Sequence, residues 1–178
     1  MSQDLEIIIK EMDILWQNLL NCRAYFPAST DTIIGQTTVL TAPYYRKSGL
    51  KIRFCFDEPL TRSNIDKIND IGHWINQNFV IRLFALLDSH NVLSDLDSNV
   101  DGFKDIDIIK RLRNIFAHSS GKYNPRKSKH KKILRDMEKH LVGIKIQDIQ
   151  DFPLAIETVL QPLFNGCRRY VEAKFKAA

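Results

Sequence analysis

Apolar residues recur at steps of three and four positions along most of this chain, which is the spacing of one face of an α-helix. The first stripe lies near the N-terminus and comprises Leu5, Ile8, Met12, Leu15 and Leu19. Ser2 precedes this stripe as a suitable N-cap, and Pro27 limits how far a helix can extend. We therefore predict a first helix between these two residues.

A second stripe follows Ser63 and continues for about six helical turns. Its members are Ile65, Ile68, Ile71, Ile75, Phe79, Leu83 and Leu86. Asp66 stands three residues after Ser63, which predicts an imperfect capping box at the start of this helix.

A shorter helix is predicted from about Asp105 to His118, because Asp105 and Asp107 place negative charge in its first turn. Its core face is expected to contain Ile106, Ile109, Leu112 and either Ile115 or Phe116. Gly121 follows two serines and is expected to adopt the left-handed conformation that ends many helices.

The C-terminal third predicts two more helices. The first covers residues 133–141, and residues 142–146 are ambiguous between coil and a short strand. Asp151 and Pro153 are expected to open the last helix, which continues to about Phe175 with a bend at Pro162.

Residues 27–60 follow a different pattern. Gly35, Pro43, Gly49 and Pro59 interrupt any helix there, and apolar residues alternate with polar ones between residues 50 and 56. This alternation favours a short strand, paired through a turn at residues 47–49 with the tyrosines at 44 and 45, although an irregular insertion also fits. The whole pattern predicts an all-α fold: a four- to five-helix up-down bundle with a small irregular or β-hairpin insertion at about residues 35–58, forming a single domain over residues 1–178.

Composition excludes several classes of protein. No apolar run approaches the roughly 18 residues of a membrane span, and the N-terminal sequence MSQDLEIIIKEMD is too acidic for a signal peptide. We therefore expect a cytoplasmic protein without membrane association. Three scattered cysteines, without the spacing of a metal site, argue against a disulfide framework and a structural zinc site. The chain also lacks a P-loop, a dinucleotide-binding glycine pattern and a nucleophile elbow, so we expect neither a cofactor nor a metal.

The best candidate for chemistry is the sequence KRLRNIFAHSSG, residues 110–121. Arg113 and His118 are five positions apart, about 140° around a helix, whereas Asn114 and His118 share one face. Cleavage of RNA without a metal needs proton transfer and stabilisation of charge on the phosphorus. A histidine in the last helical turn suits the first task, and an arginine fork suits the second. The simpler alternative is that Arg113 forms a surface ion pair and His118 caps its own helix.

In its helical context this motif, Arg113-Asn114-Ile115-Phe116-Ala117-His118, resembles that of the HEPN superfamily. The resemblance covers the helical parts of the chain and excludes residues 27–60. It implies a homodimer in which two motif copies face one cleft and act as a metal-independent endoribonuclease of the toxin or antiviral-defence type. Arg113 and His118 would be the catalytic pair, with Asn114 as supporting residue. An antitoxin or another regulatory protein is a further partner that the resemblance implies.

The net charge of +5 is concentrated just after the motif, in the acid-free stretch KYNPRKSKHKK at residues 122–132. Such a block is often a solvated loop, but beside the motif it predicts contacts with RNA phosphates and a stacked base. The predicted RNA-binding residues are Lys122, Tyr123, Arg126, Lys127, Lys129, Lys131 and Lys132. The alternative function is a non-catalytic HEPN-like helical module that binds RNA or protein.

Overall fold

The fold is all-α, with a small antiparallel hairpin. A computed structural model describes residues 3–26, 28–41, 52–118, 121–142 and 151–176. Within these ranges lie five α-helices and two strands: α1 (Gln3–Tyr25), β1 (Thr38–Thr41), β2 (Ile52–Cys55), α2 (Arg62–Ser89), α3 (Phe103–His118), α4 (Ser128–His140) and α5 (Gln161–Lys176). The predicted fold class is therefore confirmed. No helix in the described ranges combines the length and apolar character needed to span a membrane.

The chain divides into two compact units. The first comprises Met1–Ile14 and Asn76–Ala178, and the second comprises Leu15–Ile75. The long helices α1 and α2 each contribute residues to both units.

In the first unit α3 packs against α5 and α4. The buried face of α3 includes Ile106, Ile109, Leu112 and Phe116, so the prediction of its core face is confirmed and Phe116, not Ile115, closes it. The opposing face of α5 buries Leu163, Phe164, Cys167, Tyr170 and Val171. Burial raises the pKa of the Cys167 thiol well above its usual range, which keeps it protonated within this core.

In the second unit the predicted insertion is a hairpin, not an irregular segment. Thr38 pairs with Cys55, and the register continues to Thr41 opposite Ile52. Tyr44 and Tyr45, predicted to pair with the strand, lie outside the described residues.

The start of α2 corrects the sequence prediction. Thr61, not Ser63, caps this helix: its N–H donates to Asn64 Oδ1 at 2.9 Å, and the N–H of Asn64 donates back to Thr61 Oγ1 at 3.3 Å. Asn64 thus occupies the place predicted for Asp66. Side-chain capping geometry determines the boundary, and two overlapping Ser/Thr candidates cannot be separated by spacing alone.

Two further boundaries differ from prediction. Helix α4 begins at Ser128, so part of the basic stretch is helical. The last helical region begins at Ile156 rather than near Asp151, and Ile156–Leu160 is a π-helical segment. There the N–H of Leu160 donates to the Ala155 carbonyl oxygen at 3.0 Å, five residues back. Because Pro162 has no N–H to donate, a widened turn just before it is a natural adjustment.

Candidate nucleic-acid interface

The end of α3 and the start of α4 form the walls of an open groove with a volume of about 1020 Å³. We call it the motif groove. Its lining residues are Arg111, Asn114, Ile115 and His118 from α3, Arg126 and Lys127 before α4, and Ser128, Lys129, His130, Lys132 and Ile133 from α4. Cationic side chains dominate this lining, and it contains no carboxylate.

Helix α3 ends beside this groove. His118 is the last residue of the helix and its side chain is exposed. Gly121 is buried with a φ of +74°, so the predicted left-handed conformation is confirmed. A Cβ there would overlap the side-chain amide of Gln77. The site therefore requires glycine for two reasons, backbone conformation and space.

The three predicted catalytic residues do not share one face. Asn114 and His118 both line the motif groove, as their spacing of four predicts. Arg113 is outside that lining and half-buried. Its guanidinium carbon lies 4.8 Å from the centroid of the Phe84 ring, and its Nη1 donates to Asn114 Oδ1 at 3.1 Å. Asn114 therefore binds Arg113 through its side-chain oxygen and also lines the groove beside His118.

Arg111 is the arginine of α3 that lines the groove, but it is paired with two carboxylates. Its Nη2 lies 2.9 Å from Asp107 Oδ2, and its Nη1 lies 2.6 Å from Asp136 Oδ2. The hydrogen bond from Arg111 is the main cause that holds the pKa of Asp136 below its usual value. The excess positive charge of the groove therefore comes from the neighbouring residues Arg126, Lys127, Lys129 and Lys132.

His130 is a groove residue that the sequence analysis did not select. Its side chain is buried, and Nδ1 accepts the Asn124 N–H at 3.1 Å. Burial lowers its pKa, and the positive charge of Lys127 lowers it further. Because Nδ1 accepts the Asn124 N–H, the neutral ring carries its proton on Nε2. A signal was available: His130, Ile133, Leu134 and Met137 have helical spacing and are all buried on α4, but the helix was predicted to begin after His130.

An aromatic cluster supports the groove from below. The Phe152 ring lies 5.9 Å from the Phe116 ring, 5.6 Å from that of Tyr123 and 5.3 Å from that of His130, measured between centroids. Phe152 is almost fully buried. The cluster joins α3, the basic stretch and α4 through one side chain.

The predicted RNA-binding residues divide into three groups. Arg126, Lys127, Lys129 and Lys132 line the motif groove. Lys131 lies beside it on α4. Lys122 is exposed and its backbone bridges to Asp151, while Tyr123 is half-buried in the aromatic cluster and is not part of the groove lining.

The groove chemistry suits a polyanion, because cationic side chains and one exposed imidazole converge on an open surface. In the part of the chain that the structure describes, no group of three or more His, Cys, Asp or Glu side chains is arranged to hold a metal ion. Comparison of the chain with protein-family models, with curated proteins and with solved structures finds no match.

Proposed function

We propose that this chain is a metal-independent endoribonuclease of the toxin or antiviral-defence type, which acts in the cytoplasm as a homodimer. Arg113 and His118 are its catalytic pair, and Asn114 is the supporting residue. The observation that carries the proposal is the convergence of His118 and Asn114 with five cationic side chains on one open groove. A phosphodiester bound there meets a proton-transfer group and charge-balancing groups together.

The reaction requires no group beyond the side chains and the RNA itself. The His118 imidazole removes the proton of a ribose 2′-hydroxyl, and the 2′-oxygen attacks the adjacent phosphorus. The bond from phosphorus to the 5′-oxygen breaks, and that oxygen receives a proton from a second acid. The products are a 2′,3′-cyclic phosphate and a 5′-hydroxyl end.

Arg113 fits this scheme through its position on Phe84. A guanidinium held over an aromatic ring through a cation–π contact still has N–H donors to offer to other groups. These donors are suited to the negative charge that develops on the phosphate oxygens. Asn114 accepts one of them and so limits the rotation of the arginine relative to the groove.

The homodimer supplies the second acid. One imidazole cannot remove and deliver a proton in the same step, whereas two copies of His118 across a shared cleft can divide these roles. An antitoxin or another regulatory protein is the expected partner that restrains such an activity in the cell.

The test compares wild-type protein with His118→Ala on total RNA and transfer RNA in excess EDTA. The wild type should cut and leave cyclic phosphate ends, and the variant should be slower by about 10²- to 10⁴-fold. His90→Ala is the matched control, because His90 pairs with Glu11 at 2.8 Å and is not part of the groove lining. Equal cleavage by wild type and His118→Ala, or cleavage by neither, would refute the proposal.

The position of Arg113 favours one alternative, a helical module that binds RNA or protein without cutting. An arginine held on Phe84 and bound to its own neighbour is outside the lining of the groove. If RNA binds to wild type and to Arg113→Ala with equal affinity and neither protein cuts, the binding module is the correct description.

A further inference from the structure

A second groove adjoins the motif groove on α4. It has a volume of about 520 Å³ and is lined by Ser128, Lys129, Lys131, Lys132, Arg135, Asp136 and Lys139. Ser128, Lys129 and Lys132 line both grooves, so the two form one continuous surface. We call the part that contains Lys131, Arg135 and Lys139 the distal arm.

We propose that the distal arm binds the phosphate backbone of single-stranded RNA whose neighbouring segment occupies the motif groove. This inference rests on the proposed function and extends it: affinity should depend on the length of RNA beside the cut. Three features of the distal arm carry the argument, namely its net charge, its geometry and its continuity with the motif groove.

The second groove is strongly positive because the five cationic side chains in its lining outnumber its one carboxylate, which is itself paired with an arginine. Asp136 lies 2.6 Å from Arg111 Nη1. The charges of Lys132 and Lys139 also lower the pKa of Asp136, after the larger effect of Arg111. Lys131, Arg135 and Lys139 are exposed and form no ion pair with any acid among the residues that the structure describes.

The cationic side chains of the second groove are regularly spaced along α4, as the charges of a nucleic-acid strand are along its backbone. Lys132, Arg135 and Lys139 follow one line along α4 at steps of three and four residues, which are rises of about 4.5 and 6 Å. A nucleic-acid strand carries one negative charge for about every 3.4 Å of stacked length. The 13 residues of α4 span roughly 20 Å, enough for about six stacked nucleotides.

Continuity determines which ligand is expected. Because Lys129 and Lys132 belong to both grooves, a backbone leaving the motif groove meets the distal arm without crossing uncharged surface. The adjoining motif groove is where the proposed ribonuclease site lies, so we commit to RNA and treat an acidic peptide as an outcome of the test.

The experiment measures binding separately from cleavage. Labelled, unstructured RNAs of four and of twelve nucleotides carry 2′-O-methyl groups, which remove the attacking hydroxyl, and binding is followed by fluorescence anisotropy at several salt concentrations. The variant is Lys131→Gln/Arg135→Gln/Lys139→Gln. For the twelve-nucleotide RNA, the slope of log K against log salt should fall by about 2, and affinity should fall about 100-fold at 0.1 M salt. Binding of the four-nucleotide RNA should remain unchanged, which also verifies the fold.

The matched control is Lys10→Gln/Lys67→Gln/Lys104→Gln, which removes the same charge from exposed lysines outside both grooves. Equal weakening by the control and the distal-arm variant would overturn the inference, as would equal weakening for both RNA lengths. Competition by a polyglutamate peptide as strong as that by unlabelled RNA would overturn it in favour of an acidic protein ligand.

The inference and the proposed function fail in different ways. If the wild type cuts RNA in EDTA but the distal-arm variant binds the longer RNA normally, the inference alone is refuted. If the length-dependent loss is observed but no variant or wild-type protein cuts RNA, the nuclease proposal alone is refuted.

Discussion

Phe152 offers the sharpest test of how this protein builds its groove. The side chain is almost fully buried and its ring contacts the rings of Phe116, Tyr123 and His130. Truncation of a buried phenylalanine to alanine costs about 3–5 kcal/mol because it removes apolar burial and leaves a cavity. The total free energy of unfolding of a typical domain is about 5–15 kcal/mol. Phe152→Ala should therefore lose a large fraction of the free energy of unfolding.

Phe152→Leu separates the stability of the fold from the organisation of the groove. Leucine retains an apolar contact but loses the ring-to-ring geometry, which is worth about 0.5–1.5 kcal/mol for each aromatic pair. We expect this variant to remain folded, with a destabilisation of about 1–3 kcal/mol. Its affinity for the four-nucleotide RNA should fall, because the basic stretch and α4 both rest on this ring.

Urea denaturation followed by far-ultraviolet circular dichroism measures these differences, with the slope m checked for two-state behaviour. Phe175→Ala is the control, since Phe175 is only half-buried near the end of α5 and is not part of the cluster. A loss below about 1 kcal/mol for Phe152→Ala, or a loss no larger than that of the control, would refute the assignment of Phe152 as the support of the groove.

Two further predictions concern helix packing around α3. Gly166→Ala should destabilise the protein by about 1–3 kcal/mol despite the better helix propensity of alanine. The new Cβ would overlap the buried Asp105 side chain, whose Oδ1 lies 2.9 Å from His140 Nε2. A rise in the urea midpoint would contradict this packing. Arg111 holds the pKa of Asp136 below its usual 3.8, so the stabilisation is present above that value and disappears as the pH falls through the lower folded pKa. The free energy of unfolding should therefore change less between pH 7 and pH 3 in Arg111→Gln than in wild type. The two changes should differ by less than about 1 kcal/mol, because the ion pair is partly exposed. Equal changes in the two proteins would refute the coupling.

The sequence alone predicted features that depend only on residues close to one another along the chain. The stripes of α1 and α3 place Leu5, Met12 and Leu112 in the core because helical periodicity needs only local spacing. The left-handed Gly121 follows from the same local chemistry, since few residues other than glycine adopt that conformation easily. The shared face of Asn114 and His118 was equally predictable from their spacing of four.

Only the tertiary structure decided what these residues contact. Arg113 lies over the Phe84 ring and Arg111 pairs with Asp136, and each partner is more than twenty positions away. His130 enters the groove because α4 begins earlier than its apolar pattern alone indicated. Partners so distant in sequence are determined by how helices pack, and packing depends on the fit of whole surfaces rather than on the period of any single segment.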